Sequence, residues 1–212
     1  MSKVAELLNK SFDTAKRMRK LLFLVAAIDI ACSIVGYLMV YFQTSLGLKF
    51  TEWMFESVSA IPVFTTIGAL VEENLALAIS LVFLVNLSNA AFATQTLPGV
   101  IPILGGIGIV GVSAFRAFMA GVVNYYVLGV SIGFAVLGIG TSLLELTAYI
   151  FSASAGINIS LSVIFPRRYG VEGRWTAFKM AWKDAGRLYV IVIILLALGA
   201  IWEVGGAALG SG

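Results

Sequence analysis

The 212-residue sequence is 60% apolar and only 12% charged, whereas soluble globular domains are nearer half apolar and a quarter charged. A soluble fold of this length could not hide so much apolar surface, because its own surface must be largely wet. The composition therefore predicts an integral membrane protein of the cell membrane and argues against a water-soluble enzyme.

Catalytic and metal-binding groups are scarce. The sequence has no histidine, which is the commonest general base and metal ligand, and one cysteine, Cys32, which can form no internal disulfide. Gly106–Gly111 matches GxGxxG, but it lies in an apolar segment without the acidic residue that a dinucleotide site needs. We therefore expect no enzyme activity, metal site, cofactor or nucleic-acid partner.

Residues 1–20 predict a basic amphipathic helix that precedes a single transmembrane domain, residues 21–212. Its apolar residues recur at helical spacing, at Val4, Leu7, Leu8, Phe12, Ala15, Met18 and Leu22. Its other face carries Lys3, Lys10, Lys16 and Arg17. Such a helix is typical of binding to anionic lipid, and the alternative is a solvated extension of the first span. The segment does not look like a cleavable signal peptide.

Residues 171–187 predict a second membrane-surface helix. One face carries Val171, Trp175, Phe178, Trp182 and Ala185, and much of the rest carries Arg174, Lys179, Lys183 and Arg187. Indole rings favour the depth of the lipid headgroups. A plain cytoplasmic loop helix is the alternative, but it would expose two tryptophans.

The apolar segments predict an all-α bundle of about five or six transmembrane helices with broken or re-entrant glycine-rich parts. They are Leu21–Phe42, Leu75–Phe92, Val100–Phe118 (interrupted by Arg116), Tyr125–Ile139 (broken at Gly138 and Gly140), Leu143–Phe165 and Leu188–Leu209. Residues 43–74 connect the first two through an interfacial helix and the apolar run Ser57–Val71, which Pro62 breaks.

The distribution of charge predicts a cytoplasmic N-terminus. Six of the fourteen basic residues lie in the first twenty positions, and six more lie between Arg167 and Arg187. Both regions should face the cytoplasm, which requires an even number of crossings between them. The segments above give five, so either Val100–Phe118 is re-entrant or Ser57–Val71 is an uncounted crossing.

Small residues four positions apart predict close helix packing. The pairs are Gly129 with Gly133 and Ser152 with Gly156. We expect packing within the chain, with a homo-oligomer interface as the alternative. The C-terminal Gly-Ser-Gly suggests a flexible end.

Four ionisable residues lie in membrane segments: Asp29, Arg116, Glu145 and Glu203. Each costs roughly 3 kcal/mol or more at the centre of a membrane helix. They therefore mark either an ion or proton path, or structural pairs such as Arg116 with Glu145. Ser142 and Glu145 also form a capping box for a helix beginning after Gly140.

Several stretches resemble the stage II sporulation protein M family over roughly residues 70–205. They are Glu73-Asn74-Leu75, Thr141-Ser-Leu-Leu-Glu145-Leu146, Ser152-Ala-Ser-Ala-Gly156 and Gly199-Ala-Ile-Trp-Glu203. The family's His-Gly is Thr141-Ser142 here, and the last motif lacks the following Thr-Pro, so an imidazole role does not transfer.

The resemblance implies a multi-spanning protein without a catalytic centre. In spore formers the family is linked to engulfment, together with wall-degrading partners. We therefore expect a scaffolding or membrane-remodelling protein that contacts anionic lipid and membrane-protein partners. The alternative is a channel or transporter for ions or small solutes, built on the four intramembrane ionisable residues.

Overall fold

The computed structural model describes residues 3–210, apart from the side chains of Val58, Ser59, Phe64 and Leu209. Part of the C-terminal Gly-Ser-Gly, predicted to be flexible, lies outside the described residues. The regular structure in this range is helical, as predicted. The α-helices are α1 Lys3–Arg17, α2 Arg19–Tyr41, α3 Ser45–Ser59, α4 Pro62–Glu73, α5 Leu75–Val85, α6 Leu104–Val130, α7 Ile132–Ile164 and α8 Arg174–Gly210.

Five helical segments within the described residues are long and apolar enough to cross a membrane. They are Arg19–Tyr41, Leu75–Val100, Leu104–Val130, Ile132–Ile164 and Arg174–Ala208. The second of them is irregular, because α5 continues into a π-helical stretch, Asn86–Ala93, and a 3₁₀ turn, Leu97–Val100. The prediction of a multi-pass membrane protein is confirmed.

The three apolar segments predicted between residues 100 and 165 form only two helices. α6 continues through Arg116, and α7 continues through Gly138 and Gly140, so both predicted interruptions are wrong. The chain breaks instead at Ser131, which has an extended backbone and whose hydroxyl accepts a hydrogen bond from the Phe134 amide at 3.3 Å. Four candidate spans therefore precede the basic segment 166–187, and the conflict in the number of crossings disappears.

Contacts between α1 and α8 place the two basic segments at the same end of the bundle. Arg17 pairs with the buried Asp184 at 2.5 Å, and Arg187 approaches the same carboxylate at 3.4 Å. The Tyr169 hydroxyl donates to Asp184 at 3.0 Å and accepts from Asn158 at 2.6 Å. Burial raises the pKa of Tyr169 to about 12, so this hydroxyl keeps its proton. We call this the basic end, and the end that carries α3 and α4 the acidic end.

The predicted second surface helix is not a separate element. Residues 174–187 form the first turns of α8, which continues without interruption into the last span. The single glycine at the junction of the basic and apolar parts, Gly186, does not end the helix, and no proline follows it within α8.

α1 and the turn after it pack through small polar residues and through the C-terminal part of the predicted apolar face, where Ala15 and Met18 join a buried cluster with residues of α8. Ser11 and Thr14 are buried, and their hydroxyls donate to backbone carbonyls one turn earlier, each at 2.9 Å. Val4, Leu7 and Phe12 remain exposed. Because the two hydroxyls already have hydrogen-bond partners within α1, they can be buried where α1 approaches α8. The apolar residues of the first part of the helix are left facing the surroundings.

The second half of α7 forms the centre of the bundle. Twelve of its residues, Ala148, Tyr149, Ser152 to Ser160 and Ser162, are buried. Gly156 lies against the backbone of Gln95 and Gly99, as the Ser152–Gly156 spacing predicted. The prediction for Gly129 and Gly133 is wrong, because Ser131 separates them onto different helices and neither contacts another helix.

The connection between the first two spans consists of α3 and α4. Met54 of α3 packs against Val40 and Val122. Proline occupies the first position of α4, where its missing amide hydrogen costs nothing. With 12 residues, α4 is about 18 Å long and too short to cross a ~30 Å hydrocarbon core. This connection therefore stays at the acidic end.

Candidate functional site

A cavity of about 700 Å³ lies in the acidic half of the bundle, between α4, α5, α6, α7 and α8. Three of the four predicted intramembrane residues line it: Arg116 from α6, Glu145 from α7 and Glu203 from α8. The fold thus gathers charges that are distant in sequence.

Asp29 lies apart from this cavity. It is 2% exposed between α2 and α6, where the Ser113 hydroxyl approaches its two carboxylate oxygens at 2.9 and 3.0 Å. These contacts compensate part of the cost of burying a carboxyl group. Asp29 therefore joins two helices and does not contribute to the cavity.

Glu145 is held in place by an amide from the second span. The Asn86 side chain donates to its carboxylate at 2.6 Å, and Tyr149 interacts with it from the next turn of α7. Ser142 does not act as the predicted helix cap, because α7 is unbroken there and its amides are already bonded within the helix. Its hydroxyl instead donates to the Asn124 side chain of α6 at 3.0 Å.

Arg116 is held by the irregular part of the second span. Its guanidinium donates to the Ala90 carbonyl in the π-helical stretch at 2.8 Å and lies 5.1 Å from the centre of the Tyr149 ring. Arg116 and Glu145 form no direct ion pair, although they interact electrostatically. The predicted pairing is therefore replaced by a backbone bond. π-helical turns occur frequently at functional sites.

Glu203 has the fewest hydrogen-bond partners of the three charged residues in the cavity. Among the described residues, none donates a hydrogen bond to its carboxylate, and it lies near enough to Glu145 for the two to interact electrostatically. The neighbouring Trp202 fixes this turn of α8, because its indole N–H donates to the Leu137 carbonyl at 3.0 Å.

The cavity has different surroundings towards the two ends of the bundle. Its lining includes Ile61 and Phe134 at the acidic end, which are 42% and 50% exposed. Towards the basic end it is followed by a tightly packed polar layer of Gln95, Thr96 and Ser152.

Hydrogen bonds hold this polar layer together. Ser152 donates to the Gln95 side chain at 2.7 Å, and Thr96 bonds the Ser152 carbonyl at 3.0 Å and the Tyr189 hydroxyl at 2.8 Å. The cavity is therefore closed towards the basic end, and its exposed lining residues Ile61 and Phe134 lie towards the acidic end.

Sequence reasoning did not identify the amides that line the cavity. Asn86, Asn89 and Asn124 all contribute side chains. A usable signal was their position inside long apolar segments, where an amide is nearly as unusual as a charge.

The predicted lipid-surface residues lie at the basic end, mostly exposed. Lys10 pairs with Glu6 and holds the pKa of that carboxyl below its usual range. Trp175 is exposed, stacks on Phe178 at 5.2 Å and lies 5.3 Å from the Lys179 ammonium. The others are Lys16 and Lys183, which are exposed, Trp182, which is half-buried, and Arg17, bound to Asp184. Lipid binding by these residues stays a prediction.

Comparison with known proteins identifies the family. The model of the family described as stage II sporulation protein M matches residues 21–205, which extends the resemblance to the first span and to α3 and α4. No curated protein and no solved structure matches the chain. Glu145 and Glu203, which carried part of the resemblance, both lie inside the matched range. The chain is a multi-pass membrane protein that belongs to the stage II sporulation protein M family.

Proposed function

We propose that this protein translocates a small solute across the membrane and that the cavity between α4 and α8 is its solute site. The single observation that carries the proposal is the convergence of Arg116, Glu145 and Glu203 on one cavity. Polar groups in membrane proteins are costly unless they are paired or serve a ligand pathway. A purely structural role would favour direct pairing, which Arg116 and Glu145 do not make.

The difference between the two ends of the cavity supports a transport cycle. We infer that the cavity opens at the acidic end, which together with closure at the basic end corresponds to one state of an alternating-access protein. The irregular second span supplies Asn86 and the Ala90 carbonyl to the site. Broken or distorted helices that supply backbone groups at mid-membrane depth are a common construction in transporters.

Purified protein in proteoliposomes tests this proposal by solid-supported membrane electrophysiology. Jumps of Na⁺, K⁺, H⁺, choline and neutral amino acids should reveal at least one current. Glu145→Gln should reduce it roughly tenfold or more, equivalent to about 1.4 kcal/mol. Glu172→Gln, at an exposed residue outside the cavity, is the matched control. Currents absent for every solute, or unchanged in Glu145→Gln, would contradict translocation.

A second proposed role, scaffolding or membrane shaping without catalysis, is supported by the basic end. The fold brings together the basic residues of positions 3–20 and 167–187, which number twelve of the fourteen in the chain. A dense positive surface attracts anionic lipid by about 1 kcal/mol per cation. By the positive-inside rule this end faces the cytoplasm. Membrane-protein partners and self-association belong to the same proposal.

Native mass spectrometry tests the second role, with delipidated protein to which phosphatidylglycerol or phosphatidylcholine has been added back. Phosphatidylglycerol should remain bound at collision energies that remove phosphatidylcholine. The double substitution Lys179→Gln/Lys183→Gln should weaken this preference, whereas Lys49→Gln at the acidic end should leave it unchanged. Equal retention of the two lipids by the unmodified protein would rule out selective binding of anionic lipid.

A further inference from the structure

The charges that line the cavity do not balance. Among the described lining residues there are two carboxylates, Glu145 and Glu203, and one cation, Arg116. When both carboxyl groups are ionised, one negative charge is left without a described protein cation. In a medium of low dielectric constant an uncompensated charge is far more costly than in water. The cavity therefore favours either a proton on one carboxyl group or an occupant that supplies one positive charge.

The two carboxylates are not equivalent. Glu145 accepts a hydrogen bond from Asn86 and lies next to Tyr149, which also faces Arg116. Glu203 receives no hydrogen bond from a described residue. Glu203 is thus the carboxylate that remains available to a ligand.

The walls of the cavity are predominantly apolar. They include Val85, Met119, Val123, Val127, Phe134 and Leu137. A bare metal cation requires about six oxygen ligands to replace its water, and among the polar lining residues Asn124, Thr141 and Ser142 already form hydrogen bonds within the protein. A large organic cation is weakly hydrated and can bury its apolar part against such walls, Phe134 included.

We propose that the cavity binds a monovalent organic cation with an apolar body, with Glu203 as its counter-charge. This inference rests on the proposed function, because it names the class of solute that the site would carry. The apolar part of the ligand lies between α6 and the start of α7. The cationic part lies towards α8, on the side of the cavity away from the Arg116 guanidinium.

Binding of tetraphenylphosphonium to the purified full-length protein, measured by isothermal titration calorimetry, tests this site. Tetraphenylborate has the same shape and the opposite charge, and it is the control for simple partition into apolar surface. We expect tetraphenylphosphonium to bind more than tenfold tighter than tetraphenylborate. Glu203→Gln should weaken tetraphenylphosphonium binding at least tenfold, whereas Glu172→Gln should not.

The outcomes separate this site from the proposed function. Equal affinity of the unmodified protein for the two ions, or unchanged affinity in a folded Glu203→Gln protein, would overturn the cation site. The comparison of the two ions uses the unmodified protein, so it remains decisive if Glu203→Gln fails to fold. Glu203-dependent binding without solute currents would leave the site standing and refute translocation. Solute currents that tetraphenylphosphonium does not inhibit would refute the site alone.

Discussion

Replacing Gly156 by alanine is expected to destabilise the protein by roughly 3 kcal/mol, the upper part of the range for overpacked sites. A methyl group at this position would collide with the Gln95 carbonyl and would lie 2.9 Å from the Thr96 Cα. Both contacts are with backbone, so the polar layer that closes the cavity would have to move. Thermal unfolding followed by tryptophan fluorescence in detergent should show a lower midpoint.

Gly111→Ala in α6 is the matched control. An added methyl group there meets nothing within 4 Å, and alanine has the higher helix propensity. Its unfolding midpoint should equal or exceed that of the unmodified protein. Equal midpoints for Gly156→Ala and Gly111→Ala would show that α7 does not contact the second span as described.

Replacing Arg116 by methionine is expected to cost about 3 kcal/mol, as when one member of a buried charged group is removed. Methionine preserves much of the apolar volume, but it loses the bond to the Ala90 carbonyl and the contact with Tyr149. The two carboxylates of the cavity would also lose their only described cation. Denaturation in sodium dodecyl sulfate, followed by circular dichroism, measures this loss.

A second substitution distinguishes charge compensation from packing. Arg116→Met/Glu145→Gln removes one cation and one carboxylate, so it should be more stable than Arg116→Met alone. Arg174→Met, at an exposed cation at the start of α8, should be nearly neutral. Strictly additive effects of the Arg116 and Glu145 substitutions would mean that the two residues do not interact, contrary to the description of the site.

The membrane class and the segregation of the basic residues could be predicted because they depend on composition and on position along the chain. Helix boundaries between residues 100 and 165 could not. Gly138 and Gly140 suggested a break, but in the folded chain they allow close approach of Val127 and Trp202. Glycine in membrane helices often serves packing rather than interruption.

The candidate site was partly predictable for a similar reason. Arg116, Glu145 and Glu203 were conspicuous because charges are rare in apolar segments. Their convergence depends on which faces of three helices meet, and no local pattern encodes it. The π-helical stretch Asn86–Ala93 could not be predicted either. The hydrogen bond from its Ala90 carbonyl to Arg116 forms only after α6 has packed against it.

Cysteine accessibility tests the central claim, a charged cavity open at the acidic end and closed at the basic end, most directly. In a Cys32→Ala background, Asn124→Cys reports on the cavity, and Ser113→Cys, at a position 2% exposed outside it, is the control. A membrane-impermeant methanethiosulfonate reagent is added to each side of oriented vesicles, and labelling is read by mass spectrometry. We predict labelling of Asn124→Cys from the acidic end only, and no labelling of Ser113→Cys from either side. Protection of Asn124→Cys from both sides, or labelling from the basic end, would contradict the account.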